Sequence, residues 1–390
     1  MAPIRNLLVR ASSTLLVALA AGLPIEPCLA QLKVGVTLST TGGAASLGSI
    51  ERNVANLWPK TLGGMSVEYI VLDDASEPSN AVKNARRLVS EDRVDVIFGS
   101  STSPNSIAMV PVAEETGTPL ISLASAMAIV APMDKARRWV FKTVHNDSSM
   151  IEAVLDDMQR RQVKRLGYIG LADATGEGYL AALQTMAASR GIELVRIEKY
   201  NRADTSVTAQ VLRVTAASPE AIFVASLGTP AALPQIELVS RGYKGMVYHT
   251  GGVANNDFLR VAGAAAEGLY LPVAGLLVAD QLPDSNPVRK VALALATSYE
   301  ARYGAGTRNI FIAYAQDALV LLQAALPAAL RKGQPGSREF REALRDALED
   351  IRGVVGSSGV YSMSPTDHVG LDAKSLYIAQ VRNGRWTLPQ

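Results

Sequence analysis

Four hydroxyl side chains stand in a row at Ser100, Ser101, Thr102 and Ser103. They follow a strand-like apolar run ending Val96-Ile97-Phe98-Gly99, and they precede Pro104 and a helix-period segment. A strand that gives way to a helix presents the helix's first backbone N–H groups at the carboxyl edge of a sheet. Hydroxyls placed there can cap the helix and also point outward. Pro104 costs nothing in a first turn, and Gly99 lets the backbone come close to a ligand. The product is a small neutral pocket of donors at a positive helix end, suited to a carboxylate or a pair of phosphate oxygens. A capping cluster without a ligand is the other outcome of such a junction. The next strand ends alike in "LISLASAMA", where Ser122 and Ser125 sit among small residues that leave room.

Other candidate chemistry is weaker. "GYIGLADATGEGYLAA" contains Gly176-x-Gly178-x-x-Ala181 after a strand, and Glu198 closes the next strand where a ribose-binding acid would stand. Residues 172–175 separate that strand from the first glycine, where a dinucleotide fingerprint wants a tight turn. No P-loop lysine motif, no G-x-S-x-G elbow and no H-E-x-x-H is present. His145, His249 and His368 are too scattered for a metal-spacing argument. Asp73-Asp74 closes a strand as a carboxylate pair, but loop solvation and capping explain it better than acid–base work. No cofactor and no metal site is expected.

The 390 residues are enough for two domains, with 48% apolar and 19% charged residues. Lys and Arg total 38 against 36 Asp and Glu, with no basic stripe. Nucleic acid is therefore not an expected partner, since phosphate binding needs clustered cations. Arg5 and Arg10 precede the apolar run "STLLVALAAGL", too short to span a bilayer, and "CLA" before Gln31 offers small residues for cleavage after Ala30. This reads as a secretory signal peptide over residues 1–30. Cys28 is the only cysteine, so the mature chain would hold no disulfide and no thiol nucleophile.

From Leu32 onward, β-rich runs alternate with helix-period segments. "LKVGVTLS", "MSVEYIVLDD", "VDVIFGS" and "TPLISLAS" read as strands, with helices between them at "GSIERNVANLWPKTL", "PSNAVKNARRLVSED" and "SPNSIAMVPVAEET". The rhythm restarts after "WVFKTVHNDSSM", with strands at "RLGYIGL", "IELVRIEKY", "EAIFVAS" and "GMVYHTG". A helical block and a tail with a hairpin at Asn383-Gly384 follow. Strands alternating with helices mean parallel sheets covered on both faces. The fold class is therefore α/β.

In the order and spacing of "LKVGVTLSTTGGAASLGS", "LDDASEPSNAVKNARRLV", "GSSTSPNSIAMVPVAEETGTPLIS", "DATGEGYLAAL", "GGVANNDFLRVAGAAAEGLYL" and "FIAYAQDALVLLQAAL", the chain resembles periplasmic substrate-binding proteins of ABC transporters, the branched-chain amino-acid type. The resemblance runs from Leu32 to the C-terminus. It implies two doubly wound lobes joined by three crossovers near Thr143, Pro272 and Gly353. One lobe would be 32–142 plus 273–352, the other 143–271 plus 353–390. It also implies hinge closure on a ligand, a periplasmic location, a monomer, and an inner-membrane ABC permease as partner.

The family's carboxylate-binding hydroxyls fall on Ser100, Ser101 and Thr102, and the next strand's contacts on Ala124, Ser125 and Ala126. A first-loop aromatic falls on Leu47, a late-helix Phe on Phe311, and a Tyr before Gly-Glu-Gly on Thr175. The acid that holds a substrate ammonium falls on Gly251, which offers no carboxylate. A buried ammonium without a partner costs several kcal/mol. The expected ligand is therefore a carboxylate without an α-amine. An aromatic acid or aromatic 2-oxo acid would fill the volume that Gly251 and Thr175 open, with Phe311 and Tyr314 stacking and His249 or Thr250 reaching a ring substituent. An aliphatic carboxylate, a neutral amide, or an amino acid held by Asp173 or Glu177 are the alternatives. A secreted dinucleotide enzyme and a sensory domain are the other classes.

Overall fold

The computed structural model describes residues 31–389, and the expected leader lies outside the described residues. An apolar run with inward positions at every residue makes a strand buried on both faces. That is β1 (Leu32–Leu38), where Leu32, Val34, Val36 and Leu38 are all buried. It shares a sheet with β2 (Thr61–Leu62), β3 (Met65–Asp73), β4 (Val96–Gly99), β5 (Leu120–Ser122) and β6 (Val140–Lys142). The order is β2-β3-β1-β4-β5-β6, parallel except for the β2–β3 hairpin. Helices α1 (Ala45–Ala55), α2 (Pro78–Ser90) and α3 (Ser103–Thr116) make the connections.

One expected helix is shorter than its pattern. The pattern of "GSIERNVANLWPKTL" predicts a helix to its end, but α1 stops at Ala55 and Thr61–Leu62 pairs with Met65 and Ser66. Pro59 forces the residue before it out of helical space and cannot continue the ladder.

The second sheet takes β7 (Arg165–Leu171), β8 (Glu193–Tyr200), β9 (Ala221–Ala225), β10 (Met246–His249) and β11 (Tyr270–Val273). They are connected through α4 (Asp147–Arg160), α5 (Ala174–Met186), α6 (Thr208–Ala216), α7 (Ala232–Ser240) and α8 (Asn256–Ala262). The chain then forms α9 (Pro287–Tyr303), α10 (Ile310–Leu330) and α11 (Arg338–Glu349), with α10 packed on α1 and α11. A short hairpin of β12 (Val354–Val355) and β13 (Val360–Tyr361) follows. The tail strands β14 (Tyr377–Arg382) and β15 (Arg385–Thr387) return to the second sheet, whose order is β15-β14-β11-β10-β9-β7-β8. Their turn, Asn383-Gly384, has φ of 52° and 67°, the double left-handed step that the dipeptide predicts. The architecture is thus α/β, with two doubly wound lobes and three passages between them.

Two of those passages, after β6 and at the β12–β13 hairpin, are tied together by one buried group. Asp317 on α10 accepts the N–H groups of Ser357 and Ser358 at 2.7 and 2.8 Å and bonds the Tyr361 hydroxyl at 2.8 Å. The same hydroxyl lies 2.8 Å from the Thr143 carbonyl just after β6, and Thr143 Oγ1 donates to the Tyr314 carbonyl at 3.0 Å. Removing the carboxylate leaves two buried N–H groups without an acceptor, at about 1–3 kcal/mol each. Asp317→Ala is expected to lower unfolding free energy by about 3 kcal/mol, read as a shift of the urea midpoint. An unchanged midpoint would show that the crossovers are held by something else.

Candidate functional site

The carboxyl ends of β4 and β5 face those of β9 and β10 across the gap between lobes, and the walls leave a cavity of about 30 Å³ between them, so a small organic ligand needs the lobes to part further. Of the residues expected from sequence, Leu47, Ser101, Ala124, Ser125, Thr175, Thr250 and Phe311 line this one cavity. They come from α1, the β4–α3 junction, the segment after β5, α5, the end of β10 and α10.

Ser100, Thr102, His249 and Gly251 are not among the lining residues. Side chains alternate in direction along extended backbone, so Ser101 faces the cavity while Ser100 and Thr102 do not, and Thr250 faces it while His249 does not. Ser103 reaches it as the first residue of α3, and Gly252 as part of the short 3-10 turn Gly251–Val253. Ser100 donates to Asp74 Oδ2 at 2.6 Å, in the interior. His249 Nε2 bonds Gln235 Oε1 at 2.8 Å and its ring stands edge-on to Phe258. Burial pushes it down to about 3, so it is neutral and turned from the cavity. Gly251 does not open volume as expected: a Cβ there would lie 2.9 Å from the Pro272 carbonyl oxygen.

The hydroxyls do less capping than their positions suggest. Thr102 precedes α3 without a side-chain cap; Pro104 has no N–H and the Ser106 N–H bonds the Thr102 carbonyl, so the uncapped donors of this first turn are the Ser103 and Asn105 N–H groups. Ser103 Oγ instead accepts the Ala126 N–H at 3.2 Å. Ser125 Oγ accepts from Tyr179 at 3.3 Å. Among the described residues, neither Ser103 nor Ser125 donates its proton to a protein acceptor, and the buried Thr175 Oγ1 has no partner at all. Thr250 is committed: its hydroxyl donates to the Ser226 carbonyl and accepts the Gly252 N–H at 3.1 Å. Opposite these donors stand Leu47, Leu123, Val144, Met150, Leu227 and the edge-to-face pair Phe311–Tyr314, with ring centroids 5.8 Å apart.

Three titratable groups stand just outside the lining. Lys142 is fully buried and donates to the Ser125 and Ala126 carbonyls at 2.5 and 3.2 Å, and burial lowers it to about 7 against the pull of Asp147 and Asp367. Glu51, fully buried, shares a hydrogen bond with Ser101, and burial pushes it up to about 8. Asp74 accepts from Ser39 Oγ and Ser100 Oγ. Sequence reasoning passed over the first two. The signals were a lysine inside the apolar run "WVFKTV", and a glutamate at the inward spacing Leu47-Glu51-Val54.

Several expectations dissolve in the geometry. Asp173 N-caps α5 through Thr175 and Gly176 N–H and pairs with Arg202, while Glu177 pairs with Lys199 at 2.6 Å, so neither supplies a cavity carboxylate. Gly176 and Gly178 lie inside α5 rather than in a turn before it, and Glu198 is held by Arg196 and Arg213. Among the described residues no His/Cys/Asp/Glu group has metal-ligand spacing.

The lobes meet closely at Gly228, whose φ of +62° suits glycine. A Cβ there would lie 3.0 Å from Ser46 Oγ and 3.2 Å from Leu47 Cδ1, both of the opposite lobe. Gly228→Val is therefore expected to hold the cleft ajar and to weaken binding of any cleft ligand at least about tenfold, about 1.4 kcal/mol, with little loss of melting temperature. Calorimetric titration checks the first part, and unchanged affinity would mean that this contact is not needed for closure.

The sequence matches the periplasmic binding protein family over residues 31–385. Over 345 residues it is 24% identical to Leu/Ile/Val-binding protein homolog 3 of Brucella melitensis, covering 86% of this chain and 88% of that one. A crystal structure of an extracellular ligand-binding receptor from Rhodopseudomonas palustris HaA2 is 41% identical, with a TM-score of 0.89, over 92% of this chain and all of that one. A solute-binding protein of an ABC transporter from Rhodopseudomonas palustris BisB5, solved with 3,4-dihydroxybenzoic acid, shares the fold at 22% identity and a TM-score of 0.75, over 91% and 95% of the two chains. With the interlobe cavity and the strand ends that frame it, this establishes that the chain belongs to the periplasmic binding protein family.

Proposed function

We propose that the protein is the solute-binding component of an ABC uptake system and holds a small aromatic carboxylate in the interlobe cavity. The observation that carries this reading is the charge pattern: none of the cavity's lining residues is charged. A carboxylate finds the uncapped start of α3, the Ser103 and Ser125 hydroxyls and, where it is protonated, Lys142 behind Ser125. An ammonium finds hydroxyls and no counter-charge in the lining, which leaves its desolvation unpaid. Phe311, Tyr314 and Tyr179 give a ring its apolar surroundings, and the unpartnered Thr175 Oγ1 suits a ring hydroxyl or keto oxygen. The Rhodopseudomonas palustris BisB5 protein with its dihydroxybenzoic acid agrees with this ligand class, whereas the Brucella relative's name points to branched-chain amino acids. The ligand would be enclosed by hinge motion between lobes divided at 32–142 plus 273–352 and 143–271 plus 353–390. The proposed setting is the periplasm, with export by the leader and delivery to an inner-membrane permease.

Thermal shift of the mature protein with benzoate, phenylacetate, hydroxycinnamate, an aliphatic acid, leucine and valine tests the reading. A ligand at a hundred times its dissociation constant adds about 2.7 kcal/mol to stability. Aromatic acids are expected to raise the melting temperature and leucine and valine to leave it unchanged; the reverse pattern removes the proposal. Ser103→Ala and Ser125→Ala should each weaken the acid about tenfold, the worth of one charge-assisted hydrogen bond. Wild-type affinity in both would take the head group away from α3.

A further inference from the structure

Ser101 faces the cavity, yet its hydrogen bonds point elsewhere. Its Oγ accepts the Ser39 N–H at 3.0 Å and shares a hydrogen bond with the Glu51 carboxyl. Glu51 is completely buried on α1, one turn beyond Leu47, and its second oxygen Oε1 has no partner among the described residues. The groups facing it are Asp74 from the end of β3 and Tyr314 from α10. Asp317, farther along α10, is taken up by Ser357, Ser358 and Tyr361, and Arg52 beside Glu51 on α1 is exposed. No cation pairs with Glu51 among the described residues.

A serine hydroxyl has one proton and two lone pairs. When Glu51 is ionised, Ser101 must give its proton to Glu51. One lone pair is filled by Ser39, and what remains toward the cavity is an acceptor. When Glu51 is protonated, Glu51 donates to Ser101 instead, both lone pairs are filled, and the Ser101 proton is released toward the cavity. We infer that Glu51 is a positioning residue that sets, through its own proton, whether Ser101 offers the cavity a donor or an acceptor, and that binding of a carboxylate is coupled to protonation of Glu51. This deepens the proposed function and rests on its carboxylate ligand.

The sign follows from linkage. Burial and the like charge of Asp74 hold Glu51 near about 8. A bound carboxylate needs the Ser101 donor and adds a second negative charge nearby, so it raises Glu51 further. Affinity is full below that value and falls by up to about tenfold per pH unit above it, with up to about one proton taken up on binding. A zwitterionic amino acid with its ammonium toward Glu51 would do the opposite and release a proton.

Calorimetric titration with benzoate at about pH 9, in two buffers of different ionisation enthalpy, reads the proton exchange directly. Lys142 titrates nearby behind Ser125, so the quantity that decides is the difference between the native protein and Glu51→Gln, whose amide donates to Ser101 at every pH. The native protein is expected to take up up to about one proton more than the variant, and only the native affinity should fall steeply above about pH 8. Equal proton uptake, or loss of binding in Glu51→Gln at neutral pH, overturns the inference. An infrared difference between native protein and Glu51→Gln tests the protonation without any ligand. A protonated-carboxyl band present at pH about 6 and absent at about 10 supports it, and its absence at both overturns it. If benzoate fails to bind while leucine binds and releases a proton, the carboxylate reading falls and Glu51 becomes the ammonium's counter-charge.

Discussion

The first turn of α3 opens on the interlobe cavity without a side-chain cap. A helix start leaves several N–H groups unsatisfied and carries about half a positive charge. In water such an end is solvated; against a closed cleft it needs a partner of negative or acceptor character. Much of the surrounding arrangement serves to leave that demand unmet by the protein. Thr102, placed to cap, turns away, and Ser103 bonds Ala126 across to the next strand. Where it is protonated, Lys142 adds positive charge from behind the same loop while its own protons go to backbone carbonyls.

The hydroxyl cluster is accordingly two layers. The inner one, Ser39, Ser100 and Asp74, is a closed network that holds β1, β3 and β4 together at their carboxyl ends. The outer one, Ser101, Ser103 and Ser125, faces the cavity. Ser101 connects them, since its Oγ takes the Ser39 N–H and meets Glu51. A fully satisfied inner layer is rigid, and a rigid support is what keeps the outer donors in place.

The contact between the lobes is set by a different constraint. Gly228 brings one lobe's backbone against Ser46 and Leu47 of the other, so the wall of the cavity and the contact between lobes share residues. Leu47 serves both, as a side chain over the cavity and as the surface that Gly228 meets. Two of the crossovers, joined through Asp317 and Tyr361, lie next to Tyr314, a cavity residue on the same helix.

Local patterns were enough to read the alternation of strands and helices, the restart after β6, the tight turn at Asn383-Gly384 and the hydroxyls at the start of α3. Each is a property of short segments, governed by periodicity and backbone preference. The resemblance to a family then named seven residues that line one interlobe cavity. What it could not supply was direction. Ser100 and Ser101 are chemically alike, and only the phase of an extended segment turns one to Asp74 and the other to the cavity. Nor could spacing tell that Asp173 and Glu177 are consumed by Arg202 and Lys199, or that Gly251 is pressed against Pro272. The sequence by itself determined the two α/β lobes and the presence of donors at a helix start. Tertiary structure alone decided which donors remain unspent and brought Glu51 and Lys142 behind them. Hydrogen-bond partners come from residues distant in the chain, and burial, which sets the charge of both groups, exists only once the lobes have packed.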